Sequence, residues 1–363
     1  MNKTKQVFWI LILNLLSITA LAQLYSDSSK VVKSYKITPF TEVGITNKYG
    51  NIQIIKSKID SVKFQIKIKI STNDSINLET FIENVDFEIT QSSKNIGIST
   101  IFKPHKTSFL PSIMDFQRLP VGENKIDVDY IVYLPEYVQL KINNKYGNIE
   151  IDEHKAKLYI DLSNGDLICN KLHEDADINL EFGNGKISQM QNSYLNLSYV
   201  TNFDIGSLNS AEIDSKSSKI SINKAITLKI ESKRDNLFIN TVDNFYGNLY
   251  FDNLVLETLN KNINLTSKHS ETEIKNINKD IQLFQIQSSN DILKIKFKKT
   301  ALFNFDICEE KSNILFPEKK IVLFQTKDSL KPDLNFHKGY LNQKNGKNLK
   351  FTLLSTKLNL AVE

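Results

Sequence analysis

Cysteine and arginine are the scarce residues of this chain. Its 363 residues contain two cysteines, Cys169 and Cys308, too few for a disulfide-stapled mini-scaffold in a chain of this length. Strand alternation puts Cys169 on the inward face. Cys308 falls on the face opposite Phe303, Phe305 and Ile307, so two unbridged thiols are expected. Arg118 and Arg234 are the only arginines, and lysine carries nearly all the positive charge. Arginine is the usual fork for carboxylate and phosphate, so its scarcity counts mildly against a phosphate or acidic-sugar site, although an AT-rich genome would favour Lys, Asn and Ile codons by itself. The net charge of +5 is small, which gives no general argument for nucleic acid. There is no GxSxG, no HExxH and no phosphate loop. After residue 22 no apolar run is long enough to span a membrane as a helix.

The one long apolar run is at the start. Lys3 and Lys5 precede Val7–Leu16 (VFWILILNLL), and Ala20-Leu21-Ala22 supplies small residues at the two positions a signal peptidase reads. This is the pattern of a secretory signal peptide cut after Ala22. Val7–Ala22 is shorter than the roughly 20 residues a spanning helix needs. No cysteine near the cleavage site offers a lipid anchor. Export is expected, to the periplasm, the outer surface or the medium.

What the chain does have is repetition. ITNKYGNIQI at 45–54 and INNKYGNIEI at 142–151 agree at eight of ten positions. Looser copies follow: IDLSNGDLI at 160–168, INLEFGNGKI at 178–187 and IDSKSSKISI at 213–222. Each copy has short alternating apolar residues, a polar turn often carrying Gly or Asn, then a second alternating pair. Alternation such as Leu158, Ile160, Leu162 turns one face inward. The first apolar residues after the turn, Ile149, Leu167, Ile187 and Ile205, stand 18, 20 and 18 positions apart. A unit this small cannot bury its own apolar face, but stacked units can. The fold expected is therefore all-β, a parallel β-helix or solenoid, with a β-sandwich as the alternative. Gly50, Gly147 and Gly165 are expected at the structural turns, where glycine would supply a positive φ.

Along the chain, 1–22 reads as the signal peptide. Residues 23–140 read as a preceding strand module, with a short amphipathic helix near 76–85 and an irregular loop at 102–124. Residues 141–307 hold the solenoid repeats, and 308–363 is a capping segment whose stretch 349–360 supplies closing strands.

The paired NKYGNIxI motifs and VDYIVYLPEYVQLKINNKYGNIEI resemble a family of exported bacterial β-strand-repeat proteins known as putative adhesins or domains of unknown function, common in Bacteroidetes-like bacteria. The resemblance covers about 31–240. It implies a right-handed β-helix-like fold in the cell envelope and carries no catalytic residues.

Three further groups bear on function. His154 with Asp152, and His173 with Glu174, lie about one repeat apart and offer weak candidate ligands for a divalent metal; solvated loops are the plainer reading. Tyr49, Tyr146, Tyr199 and Tyr246 are candidates for stacking on sugar rings, against the plainer role of stiffening their own turns. The carboxylates are scattered singly, without the paired geometry that glycoside hydrolysis needs. The expectation is a non-catalytic envelope scaffold or adhesin without a cofactor, whose partners are surface glycans or envelope proteins. A carbohydrate-binding or polysaccharide-active protein is the alternative.

Overall fold

A computed structural model describes residues 25–72, 82–103, 124–316, 321–327, 333–343 and 346–362. The expected signal peptide, most of the expected helix at 76–85 and most of the loop at 102–124 lie outside these residues; Val85 opens the strand Val85–Gln91. The described chain is nearly all strand and forms one large mixed sheet that is not closed. It divides into two compact units. The smaller comprises Met1–Lys30, Lys67–Asp86 and Ile101–Asp127; within it the Lys103 ammonium pairs with Asp86 at 2.6 Å. The larger comprises Val31–Ile66, Phe87–Thr100 and Val128–Glu363 and carries every feature described below.

In the larger unit strand segments pair in parallel with segments 17 or 18 residues further on, and each such repeat, with the corner between its segments, is here termed a rung. Gln139–Lys145 pairs in parallel with Leu158–Ser163, Leu140 opposite Leu158 and Ile142 opposite Ile160. Leu158–Ser163 pairs the same way with Ala176–Lys216, Ile160 opposite Ile178. On the other side of the corner, Ile149 lies opposite Leu167 in parallel, as the repeat required. Further along, Ile220 faces Leu237 and Leu237 faces Leu254, also in parallel. In this column isoleucine stacks on isoleucine: Ile142, Ile160 and Ile178 are all fully buried. Each such side chain contributes up to about 1.5–3 kcal/mol of apolar burial, an upper value because the unfolded chain already hides part of its surface.

Three details differ from the expectation. Leu167 lies opposite Gly185, not Ile187, and Ile187 lies opposite Cys169. The apparent step of 20 is therefore 18, disguised because a glycine occupies the apolar column. It does so for room: a Cβ on Gly185 would lie 2.2 Å from the Phe203 ring of the next rung. Second, the two best motif copies are direct neighbours although 97 residues separate them. Ile45 pairs with Ile142 and Ile52 with Ile149. The chain leaves after the first copy, lays residues 95–99 and 130–134 on that copy's far side, and returns. Third, the opposite end does the same. Leu283–Ser289 pairs with Lys347–Leu354, which in turn pairs with Phe303–Glu310. The expected closing strands thus sit between rungs, and the outer edge of Phe303–Glu310 is covered by the antiparallel strand Asn335–Leu341. A paired edge offers no free backbone row to other chains.

Candidate functional site

The corner is where the repeat concentrates its unusual chemistry. One residue per rung has a positive φ, and it is not glycine: Tyr49, Tyr146, Asn164, Phe182, Tyr199, Ser217, Arg234, Phe251, His269 and Asn290 lie between 52° and 63°. A side chain in this region costs about 1–2 kcal/mol. The cost is tolerated because the left-handed turn keeps the ladder unbroken around the corner. Tyr49 N–H donates to Lys145 O at 2.8 Å, Tyr146 N–H to Ser163 O at 2.9 Å, and Arg234 N–H to Tyr250 O at 3.0 Å.

The glycine prediction therefore needs correcting. Gly50, Gly147 and Gly165 sit at the corners, but each follows the left-handed residue. Their requirement is closeness: a Cβ on Gly147 would lie 1.9 Å from Gly50 O, and one on Gly165 2.1 Å from Gly147 O. Behind them, buried asparagines close the corner from within. Asn47 Nδ2 donates to Val128 O at 2.9 Å; Asn144 Nδ2 donates to Gly50 O at 3.0 Å and to Gly147 O at 2.9 Å.

In later rungs the glycine position is taken by buried polar residues, including Ser218, Asp235, Asp252, Ser270 and Asp291. Each carboxylate serves the rung before it. Asp235 accepts from Ser218 N–H at 2.6 Å, Asp252 from Asp235 N–H at 2.7 Å, and Asp291 from Ser270 N–H at 2.7 Å. Serine hydroxyls inside the corner also donate: Ser232 to Asp235 at 2.7 Å and Ser267 to Asp291 at 2.6 Å. Burial raises the carboxyl of Asp235 and pushes that of Asp252 up to about 6. Buried polar groups are sustainable only when satisfied in this way.

Outside the corner the left-handed side chains form a stack. Tyr49 and Tyr146 lie 5.4 Å apart, nearly parallel; Phe182 and Tyr199 lie 5.1 Å apart; Phe251 and His269 lie 4.9 Å apart. Lysines from the preceding position lie over the rings, Lys145 at 5.4 Å from the Tyr146 centroid and Lys216 at 4.8 Å from that of Tyr199. Of the four candidate tyrosines, Tyr49, Tyr146 and Tyr199 share this column. Tyr246 does not; it lies mid-strand in Asn236–Tyr250. Tyr146 and Tyr199 each have a stacked ring and a lysine against them, which leaves those two little free face for a sugar. Sequence reading missed Phe182, Arg234, Phe251 and His269. The signal was their place, one residue before the Gly, Ser or Asp of the corner.

The metal candidates do not converge. His154 is buried, and burial lowers its pKa to about 4, outweighing the backbone of Lys157 and Val138 and the Glu136 carboxylate, which favour the charged ring. It is a core residue and not part of a solvated loop. His173 faces outward, its Nε2 2.8 Å from Glu153 Oε1. Asp152 accepts from Asn170 Nδ2 at 3.2 Å, and Glu174 is exposed. Among the described residues no group of three His, Cys, Asp or Glu side chains is placed to hold a metal. Cys169 is buried, with its thiol pushed up to about 12, and both cysteines are unbridged.

No protein-family model matches the chain, and neither does any curated protein. Solved structures do. A putative adhesin from Parabacteroides distasonis is 12% identical, covering 74% of this chain and 98% of that one, with a TM-score of 0.35. A putative adhesin from Parabacteroides merdae is 12% identical, covering 74% and 96%, with a TM-score of 0.38. A putative lipid binding protein from Parabacteroides distasonis is 10% identical, covering 74% and 94%, with a TM-score of 0.29. The resemblance read from the NKYGNIxI motifs thus meets the same description among solved structures, and no residue role is transferred from them.

Proposed function

We propose that this chain is an exported, non-catalytic envelope protein: a right-handed parallel β-solenoid that acts as a surface scaffold or adhesin. The observation that carries the proposal is the parallel register of rungs 17 or 18 residues apart. Such a register repeats every outward position along the stack, so one side-chain chemistry becomes a row. Outward rows already interact rung to rung: Asn184 Nδ2 donates to Asp166 at 2.9 Å, Asn240 Nδ2 to Asn223 at 2.9 Å, and Lys229 pairs with Glu212 at 2.6 Å. A row of weak contacts binds an extended partner by summation, the logic of multivalent attachment. The pattern Lys3–Ala22 supports export, and a parallel connection in one sheet is right-handed with few exceptions.

The test is made on cells. The protein is expressed with and without residues 1–22, its N-terminus is sequenced, and intact cells are treated with protease and assayed for attachment to glycan- and protein-coated surfaces. The account expects cleavage after Ala22, protease access on intact cells, and attachment that depends on the protein. An intact Met1 on a cytosolic protein would overturn it.

A further inference from the structure

Along rungs 198–269 the corner edge consists of two adjacent outward columns, the left-handed position and the residue before it. These columns hold Lys216, Lys233, Arg234 and Lys268, all exposed, and no acidic residue. The register makes this a straight row: Lys216 lies opposite Lys233, Lys233 opposite Tyr250, and Tyr250 opposite Lys268. At about 4.8 Å per rung the first two lysines are one step apart and the next pair two steps. Lys216, Lys233 and Lys268 have no carboxylate partner within 4.0 Å among the described residues. They stand on the outer lip of a shallow trough of about 730 Å³ that runs along five rungs and whose lining also includes Asp214 and Glu231, so the cationic row is the lip and not the trough floor.

The aromatic residues position these cations. Tyr250 has Lys233 Nζ at 5.7 Å and Lys268 Nζ at 5.9 Å from its centroid. Phe251 has Arg234 at 5.9 Å on one side and His269 stacked at 4.9 Å. Cation–π contact restrains a flexible lysine without neutralising it. The result is a line of pre-oriented, unneutralised charge.

We propose that this edge binds a linear acidic polysaccharide bearing carboxylates, lying along the stack axis with its charges facing Lys216, Lys233, Arg234 and Lys268. This rests on the surface-display reading above and gives it a ligand class. A single polymer chain matches a row one residue wide. A flat anionic bilayer would also press on the next outward column, where Asp214 and Glu231 stand opposite one another. A thin chain on the edge avoids those two carboxylates, which accept from Tyr194 Oη at 2.5 Å and Asn248 Nδ2 at 2.7 Å. Single-stranded nucleic acid binding uses ring faces for base stacking, and Tyr199, Tyr250 and Phe251 each already hold two neighbours among rings and cations. Arginine is the usual fork for a carboxylate; in this row Arg234 supplies one fork and the three lysines act as point charges.

The experiment uses the mature protein and polygalacturonate, with dextran, phosphatidylglycerol vesicles and a single-stranded DNA oligomer as competing probes. Lys216→Gln/Lys233→Gln/Lys268→Gln is compared with Lys171→Gln/Lys186→Gln/Lys224→Gln, which removes the same charge from other faces; equal melting curves verify both folds. Polygalacturonate should bind in preference to the other probes and weaken as salt rises. The edge triple should lose about tenfold in affinity, the sum of three modest exposed ion contacts, and the control triple no more than about twofold. Equal losses in the two triples, preference for vesicles or DNA, or no polygalacturonate binding would overturn the proposal. A surface-exposed protein that mediates attachment yet ignores polygalacturonate would sink this inference alone, whereas a cytosolic protein would sink the reading beneath it.

Discussion

The corner glycines make the most direct prediction about stability. In Gly147→Ala the added Cβ falls 1.9 Å from Gly50 O and 2.4 Å from Gly50 C. Carbon and oxygen need over 3 Å, so the two rungs must part by about 1 Å. Three things between them then weaken. Asn144 Nδ2 loses its 3.0 Å bond to Gly50 O, and a buried hydrogen bond contributes about 0.5–1.5 kcal/mol. The Tyr49–Tyr146 stack at 5.4 Å opens, at about 0.5–1.5 kcal/mol. The apolar pair Ile52 and Ile149 loses contact, at about 1 kcal/mol for each methylene-sized gap. The total is about 2–4 kcal/mol. At about 2.1 cal/mol/K of unfolding entropy per residue, a chain this long shifts by roughly 1.4 °C per kcal/mol, so the melting temperature should fall by roughly 3–6 °C. Lys145→Val, an exposed position in the same corner, should stay within about 0.5 kcal/mol. Because Gly147 lacks a positive φ, Ala should be nearly as harmful as Val. Circular dichroism melts decide it: a Gly147→Ala melt within a degree of wild type would refute the close-approach argument.

Other consequences follow from the same geometry. The Asp252 carboxyl has its pKa raised to about 6 by burial, so the folded state holds a proton that the unfolded chain, at about 3.9, has released. This group's stabilising contribution is present below about pH 4 and lost as pH rises through 6. After discounting for partial solvent screening, the urea-unfolding difference between wild type and Asp252→Asn should shift by about 1–2 kcal/mol between pH 4 and pH 7. His154 behaves oppositely: its pKa is lowered to about 4, so stability present above pH 6.5 is lost as pH falls towards 4. His154→Leu should remove about 2 kcal/mol of that loss, and parallel pH–stability curves for the two proteins would contradict it. A double-mutant cycle on Tyr49→Ala and Tyr146→Ala should give a coupling of about 0.5–1.5 kcal/mol, against none for Tyr146→Ala with Tyr246→Ala.

The alternation of Leu158, Ile160 and Leu162 exposed the strand class and the inward face directly, because a period of two needs no tertiary information. The near-identity of 45–54 and 142–151 marked a repeat but concealed that the copies touch. Their likeness is explained by contact: Asn47 and Asn144 share the Gly50 carbonyl, and Tyr49 stacks on Tyr146. The excursion between them follows non-local pairings that local pattern does not encode. Gly185 broke the apolar column and shifted the apparent register. The left-handed ladder escaped notice because its constraint is a backbone angle, met by Tyr, Asn, Phe, Ser, Arg and His alike. His154 read as a loop residue because its acidic neighbours Asp152 and Glu153 masked an inward position.

The central claim is that the first NKYGNI copy lies directly on the second. Thr46 and Asn143 face outward in register, 97 residues apart in sequence. In a Cys169→Ala/Cys308→Ser background, Thr46→Cys with Asn143→Cys should oxidise to an intramolecular disulfide, because facing residues on paired strands fall within the Cα separation of about 4.4–6.8 Å that the bond requires. Thr46→Cys with Asp161→Cys, one rung further along the stack, should remain reduced under the same conditions. Mass spectrometry of the unreduced peptides reads the outcome. A 46–143 bond with no 46–161 bond is the result the account predicts; no 46–143 bond, or equal bonding in both pairs, would contradict it.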